Sequence, residues 1–247
     1  MHKSIVPVVG GLSLLLTYRA LVLFDIDGTL VRRAGPHHRE ALVYAVRRVT
    51  GLETTTEGIP VQGMLDPDII AVMMRRAGAP RSRIASALPE ILPVAERRYL
   101  RTCPPLHDKH CPGVAPLLER LTRRKLLLGL VTGNLTRIGW RKLERAGLKD
   151  YFRYGAFAET ARTRAGLVKI AVREARCRGW IPREAAISLI GDAPADIQAA
   201  RRNRIRAISV ATGLTSSQEL LAEQPDILLR NLRMLRLRMV ECQGFCD

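Results

Sequence analysis

The run Ala20-Leu21-Val22-Leu23-Phe24 is apolar without a break, and Asp25-Ile26-Asp27-Gly28-Thr29-Leu30 follows it directly. An uninterrupted apolar run of this length, closed by a turn signal, reads as a strand buried on both faces. Side chains alternate along a strand, so two carboxylates separated by one residue at its end point roughly the same way. Gly28 behind them lets the backbone turn sharply. The arrangement suits a nucleophile beside an acid/base, with a divalent cation between them.

The same strand-then-turn pattern recurs downstream. Leu126 to Val131 is a second apolar run, Tyr154 to Ala158 a third, short strand, and Ala186 to Ile190 and Ala207 to Val210 are a fourth and fifth. Helical periodicity falls between them, over Pro112 to Thr122, Thr136 to Gly147, Leu167 to Arg178 and Ala195 to Arg202. Gly147 suits the C-cap of the second of these helices. Strands alternating with helices predict an α/β fold, a Rossmann-like parallel sheet with helices on both faces. In such a sheet the functional residues belong at the carboxyl ends of the strands.

Three strands end in polar clusters on that edge: Asp25 and Asp27, then Thr132-Gly133-Asn134, then Gly191-Asp192-Ala193-Pro194-Ala195-Asp196. A hydroxyl and backbone amides at a strand-to-helix turn make a cradle for a phosphoryl oxygen, aided by the helix N-terminus. Asp192 and Asp196 form a carboxylate pair able to hold a hard cation. Taken singly, Thr132-Gly133-Asn134 also fits an ordinary turn, and the two aspartates also fit helix caps. Four carboxylates gathered at one edge would repel one another without a cation, which favours the functional reading once all four meet.

These residues resemble the motifs of the haloacid dehalogenase (HAD) superfamily, and the resemblance runs from about Arg19 to Leu235. It implies a magnesium-dependent phosphatase. Asp25 would attack phosphorus and form an aspartyl-phosphate, and Asp27 would protonate the leaving oxygen and then activate water. Thr132, with Gly133 and Asn134, would bind the phosphoryl group. Magnesium would sit on Asp25, the Asp27 carbonyl and Asp192, with Asp196 in support. An aspartate at position 27 points to phosphoryl transfer rather than dehalogenation. The lysine that the family usually carries after its third strand is missing. Glu159 to Lys169 contains no Lys-Pro pair, and Arg164 is favoured for the role over Arg162, with Lys169 third because it falls a turn into the helix. The helix after Asp196 also lacks the usual closing glycine, and Asn203 is expected to supply the left-handed residue there. Ala211-Thr212-Gly213 and Pro225 to Leu228 resemble the closing elements of the family.

Between the first and second motifs the chain reads as helical over Pro36 to Val49, Asp68 to Ala77, Arg81 to Leu88 and Ile91 to Leu100, with breaks at Gly78-Ala79-Pro80 and at Pro89. This stretch resembles the helical cap of the phosphoglycolate phosphatase and phosphoglucomutase branch, and such caps exclude water when they close. The expected division is an extension over 1–18, a core over 19–32 and 107–240, a cap over 33–106 and a tail over 241–247. Gly63-Met64-Leu65-Asp66 lies where cap residues of that branch face the substrate, though Asp66 or Asp68 also suits the start of a helix. His37, His38, His107 and His110 match no metal-ligand spacing and read as loop or helix-surface residues.

Of 40 basic residues six are lysine and the other 34 arginine, against 23 acidic residues, giving a net charge of +17. The arginines are scattered in pairs rather than gathered in a block, and aromatics are only 4% of the chain, so specific nucleic-acid binding is not expected. A basic surface that attracts a small phosphorylated metabolite fits the same numbers. The apolar run Ile5 to Leu16 is too short to span a bilayer. As a signal peptide it would be cut almost against the first strand, so an N-terminal extension is the preferred reading. Cys103, Cys111, Cys177, Cys242 and Cys246 form no CxxC pair, which suits a cytoplasmic protein. The expected activity is hydrolysis of a phosphoglycolate-like or sugar phosphomonoester. The alternatives are a β-phosphoglucomutase-like mutase and a basic binding module on a catalytically impaired HAD scaffold.

Overall fold

The computed structural model describes residues 17–32 and 34–241. The apolar Ile5–Leu16 run, Cys242 and Cys246 lie outside the described residues. Six strands, β1 (Ala20–Phe24), β2 (Leu127–Val131), β3 (Tyr154–Ala156), β4 (Ala186–Gly191), β5 (Arg206–Val210) and β6 (Ile227–Leu229), form one sheet in the order β3-β2-β1-β4-β5-β6. Every neighbouring pair is parallel. All five residues of β1 and of β2 are buried, as expected of strands covered on both faces. The sixth strand falls on the stretch read above only as a closing element.

The strand order reverses at β1, whose neighbours are β2 on one side and β4 on the other. Phe24 pairs with Leu130 and with Ile190, so the three chains leave the sheet in near register. The Asp25 amide continues the ladder by donating to the Ile190 carbonyl at 3.0 Å. Asp25, Thr132 and Asp192 therefore emerge side by side at the switch point, where α/β sheets build their crevices.

Helices α1 (His37–Thr50), α2 (Asp66–Arg76) and α3 (Arg81–Thr102) fill the connection between β1 and β2. The chain leaves the sheet and returns along adjacent paths: Arg32 donates to the Lys109 carbonyl at 2.9 Å and Cys111 to the Leu30 carbonyl at 3.0 Å. The remaining helices, α4 (Val114–Arg123), α5 (Thr136–Ala146), α6 (Arg164–Cys177), α7 (Pro194–Arg202), α8 (Ser217–Ala222) and α9 (Arg238–Glu241), follow the strands. Within the connection α3 packs on α1 and α2, and it also touches α5.

Two local expectations are corrected. Pro89 does not break the third connecting helix: α3 runs unbroken through both Pro89 and Pro93. Both prolines lie on its exposed side, where water can satisfy the carbonyls they orphan, while Ile84, Ile91, Ala95 and Tyr99 bury the opposite face. Asn203 is not left-handed (φ −98°). The left-handed residue is Arg204, at φ 54°, and the Asn203 side chain donates instead to the Ala165 and Ala199 carbonyls.

Candidate active site

The carboxyl ends of β1, β2 and β4 open into a pocket of about 940 Å³, lined by Asp25, Asp27, Thr132, Gly133, Asn134, Arg164 and Asp192 among others. That volume suits a small ligand. Two carboxylate environments divide it.

The first gathers Asp25, Asp192 and Asp196, each no more than 5% exposed, with one oxygen of each lying within 4.8 Å of the others. Glycines allow this approach. Gly28, at φ 79°, and Gly213 both lie so close to the Asp192 carboxylate that a Cβ at either position would run into it. Thr29 donates to Asp192 Oδ1 at 3.0 Å, and the Gln62 amide donates to Oδ2 at 2.8 Å. Asp196 accepts from the Ala193 amide at 3.2 Å, in the first turn of α7.

Arg164 bridges two of the three. The Arg164 guanidinium places Nη2 2.8 Å from Asp25 and donates from Nε to Asp196 at 2.8 Å. The Nη2 contact is an ion pair off hydrogen-bond alignment. Arg164 is buried because α6 begins at that residue, earlier than its periodicity suggests, while Arg162 and Lys169 are exposed. A single guanidinium does not balance three buried carboxylates. Burial, with Asp196 and Asp27 adding to it, outweighs Arg164 and pushes the Asp25 carboxyl up to about 6. Burial and the neighbouring Asp25 and Asp196 raise Asp192 well above the ordinary range against Thr29 and Arg164. An all-oxygen donor set of this charge fits a hard divalent cation.

The second environment surrounds Asp27, whose carboxylate is turned out of that cluster. Its side chain is 46% exposed, and the buried Lys142 donates to both oxygens, at 2.7 and 2.6 Å. Asn134 donates to Oδ2 at 2.8 Å. Burial works to raise this carboxyl, but Lys142, helped by Asn134, prevails and holds it below the usual range. The Asp27 carboxylate thus has its own ammonium and lies outside the cluster of Asp25, Asp192 and Asp196.

The β2 turn lies between the two environments. Thr132 and Asn134 are buried, and the Asn134 amide donates to Thr132 Oγ1 at 2.7 Å. Gly133 packs so closely on the Met64 carbonyl that no side chain would fit, and its own carbonyl accepts from the Asp66 amide at 2.8 Å. The Gly63–Asp66 segment thus reaches the pocket, with Asp66 as the first residue of α2 rather than a side-chain cap of its own helix.

Three residues escaped the sequence reading. His38, read above as a surface residue, lies in the pocket with Nδ1 at 3.1 Å from Lys142 and Nε2 at 3.0 Å from Asp66. A helical signal existed, since His38 precedes Ala41, Leu42 and Ala45 on the buried face of α1. Lys142 likewise falls between Ile138 and Ala146 on the buried face of α5, where a charge stands out. Gln62 lies in a loop and has no such signal. The other histidines keep their reading: His37 begins α1, His107 is exposed, and His110 bonds the Ala146 carbonyl.

Residues 20–203 match the haloacid dehalogenase-like hydrolase family. Over 211 residues the chain is 34% identical to the phosphoglycolate phosphatase of Synechococcus elongatus, spanning 84% of this chain and 91% of that protein. It is 28% identical to the glyceraldehyde 3-phosphate phosphatase of Methanopyrus kandleri, spanning 80% and 86%. The fold is also that of a β-phosphoglucomutase from Clostridium difficile, with a TM-score of 0.69 at 17% identity over 90% of this chain and 95% of that one. Among the described residues no helix is long and apolar enough to cross a membrane.

Proposed function

The chain belongs to the haloacid dehalogenase-like hydrolase family, and from that membership we propose that it hydrolyses a small phosphomonoester through an aspartyl-phosphate on Asp25. The observation that carries this reading is the pairing of two unlike carboxylates at the end of β1. Asp25 is buried, holds its oxygen beside Asp192 and Asp196, and among the described residues has Arg164 as its one ion-pair partner. Asp27 is reached from the pocket and held by Lys142 and Asn134. By position, the first would attack phosphorus once a bound cation keeps it ionised, and the second, open to the pocket, would exchange a proton with the leaving oxygen and with water.

Magnesium would be held by Asp25, Asp192 and Asp196 together with the Asp27 carbonyl, where it would neutralise phosphoryl charge as a Lewis acid. The phosphoryl oxygens would meet the Thr132 hydroxyl, the amides of Gly133 and Asn134 at the start of α5, and the Arg164 guanidinium. Arg164 in contact with Asp25 fills the cation role for which no lysine is found, and this weakens the reading of an impaired scaffold. Helices α1–α3, joined to the core at Arg32 and Lys109, would act as a cap that shields the pocket from water.

The substrate class is a phosphoglycolate-like or sugar phosphate, supported by the relative at 34% identity and by the pocket's size. Phosphate release from phosphoglycolate and from a panel of sugar phosphates, with magnesium or with EDTA, tests the reading. Magnesium-dependent release that Asp25→Asn abolishes is expected. Wild-type release no faster than that of the variant would refute it. Isomerisation of β-glucose 1-phosphate exceeding phosphate release would identify a mutase instead.

A further inference from the structure

Lys142 is a buried ammonium whose partners are all fixed. Its side chain is 1% exposed, and Nζ lies 2.6 Å from Asn134 Oδ1 as well as in contact with both oxygens of Asp27 and with His38 Nδ1. An ammonium has three protons and no lone pair: one is shared by the two Asp27 oxygens, one goes to Asn134 Oδ1, and His38 accepts the third at Nδ1 and carries its own proton on Nε2. That Nε2–H points at Asp66 Oδ2, 3.0 Å away. Asp66 Oδ2 also accepts from the Leu135 amide at 2.9 Å, at the entry to α5, and the Asp66 amide donates to the Gly133 carbonyl. The chain of contacts Asp66–His38–Lys142–Asp27 starts on α2, crosses α1 and α5, and ends on the β1 turn. Asp27, Asn134 and His38 hold the Lys142 head at once, which fixes it in one place.

We propose that Lys142, His38 and Asp66 form a positioning relay that aims the Asp27 carboxyl at the leaving-group oxygen of the substrate. The proposal rests on the reading of Asp27 as the acid/base of a phosphatase. Lys142 sets the orientation of the Asp27 carboxylate by gripping both of its oxygens, and His38 with Asp66 holds Lys142 from behind. None of the three touches the reacting phosphorus.

The leaving group separates this role from a merely structural one. An alkyl ester such as phosphoglycolate needs its departing alkoxide protonated, whereas p-nitrophenolate departs without help. For each ester kcat/KM reports the steps up to loss of that leaving group. In the holoenzyme with magnesium, Lys142→Met and His38→Leu are expected to lower kcat/KM for phosphoglycolate, or for the best alkyl ester of the panel, at least tenfold more than for p-nitrophenyl phosphate. His38→Asn retains an acceptor near the Nδ1 position and should recover part of the alkyl-ester rate, and Asp66→Asn should show the same bias more weakly. Should Lys142→Met fail to fold, the ratio measured for the His38 and Asp66 variants decides. Equal losses on both esters would overturn the relay while leaving the phosphatase intact. Absence of Asp25-dependent turnover on either ester in the wild type would overturn the phosphatase reading and the relay with it.

Discussion

Asp25 and Asp27 stand two residues apart at the end of one strand, yet their surroundings push them in opposite directions. Asp25 shares a buried corner with Asp192 and Asp196, has one guanidinium for three carboxylates, and is raised to about 6. Asp27 has an ammonium and an amide to itself and is lowered. The lesson is that strand alternation sets the direction of a side chain, and its neighbours set its chemistry. The Asp25 corner is short of positive charge, a deficit that the proposed divalent cation would meet. The Asp27 corner is complete within the protein.

Breaking each corner should have a distinct signature. Asp25→Asn removes the nucleophile with little change of shape and should cut turnover by on the order of 10⁶-fold, the scale for loss of a covalent nucleophile. Steady-state phosphate release would measure it, and a fall of tenfold or less would mean that Asp25 is not attacked or attacking. Asp27→Asn should cost about 10²–10⁴-fold, the range of general acid–base catalysis, with the larger loss on alkyl esters.

Stability should divide along the same line. Arg164→Ala leaves the carboxylates of Asp25 and Asp196 buried without their counter-charge, and urea unfolding in EDTA should show a loss of about 3–5 kcal/mol. Added magnesium should restore part of it. A variant as stable as wild type in EDTA would show that the guanidinium is not balancing that corner.

The smallest effect is the pH dependence. Asp25 is raised in the fold from its ordinary value of 3.8 to about 6, so the folded protein binds more protons than the unfolded chain across that window. Its contribution is fully present below about pH 4 and is lost as pH rises through 6, a change on the order of 2–3 kcal/mol. Metal-free protein should therefore lose stability from this group between pH 4 and 7, and magnesium should raise Tm more at pH 7.5 than at pH 5. An equal magnesium shift at both pH values would contradict the assignment.

What could be read from the sequence follows from how each element announces itself. The strands are continuous apolar runs, and a residue directly after such a run must lie at the sheet edge, which placed Asp25, Thr132 and Asp192 together. Arg164 was placed by its position before a helix, although its burial required α6 to start earlier than the apolar spacing shows. Lys142 and His38 were missed because they lie inside helices far from any strand end, where a polar residue on the buried face reads as noise until the opposing helix is known. The unbroken α3 was missed for a related reason, since proline stops a helix only where its orphaned carbonyls find neither partner nor water.

The central claim is that phosphorus passes through Asp25 on its way to water, and the stereochemical course of the reaction tests this most directly. With a phosphomonoester made chiral at phosphorus by oxygen isotopes, two in-line displacements, first by Asp25 and then by water, predict retention of configuration in the released phosphate. Inversion would mean that water attacks the substrate itself, and Asp25 would then be no more than a ligand in its own acidic corner.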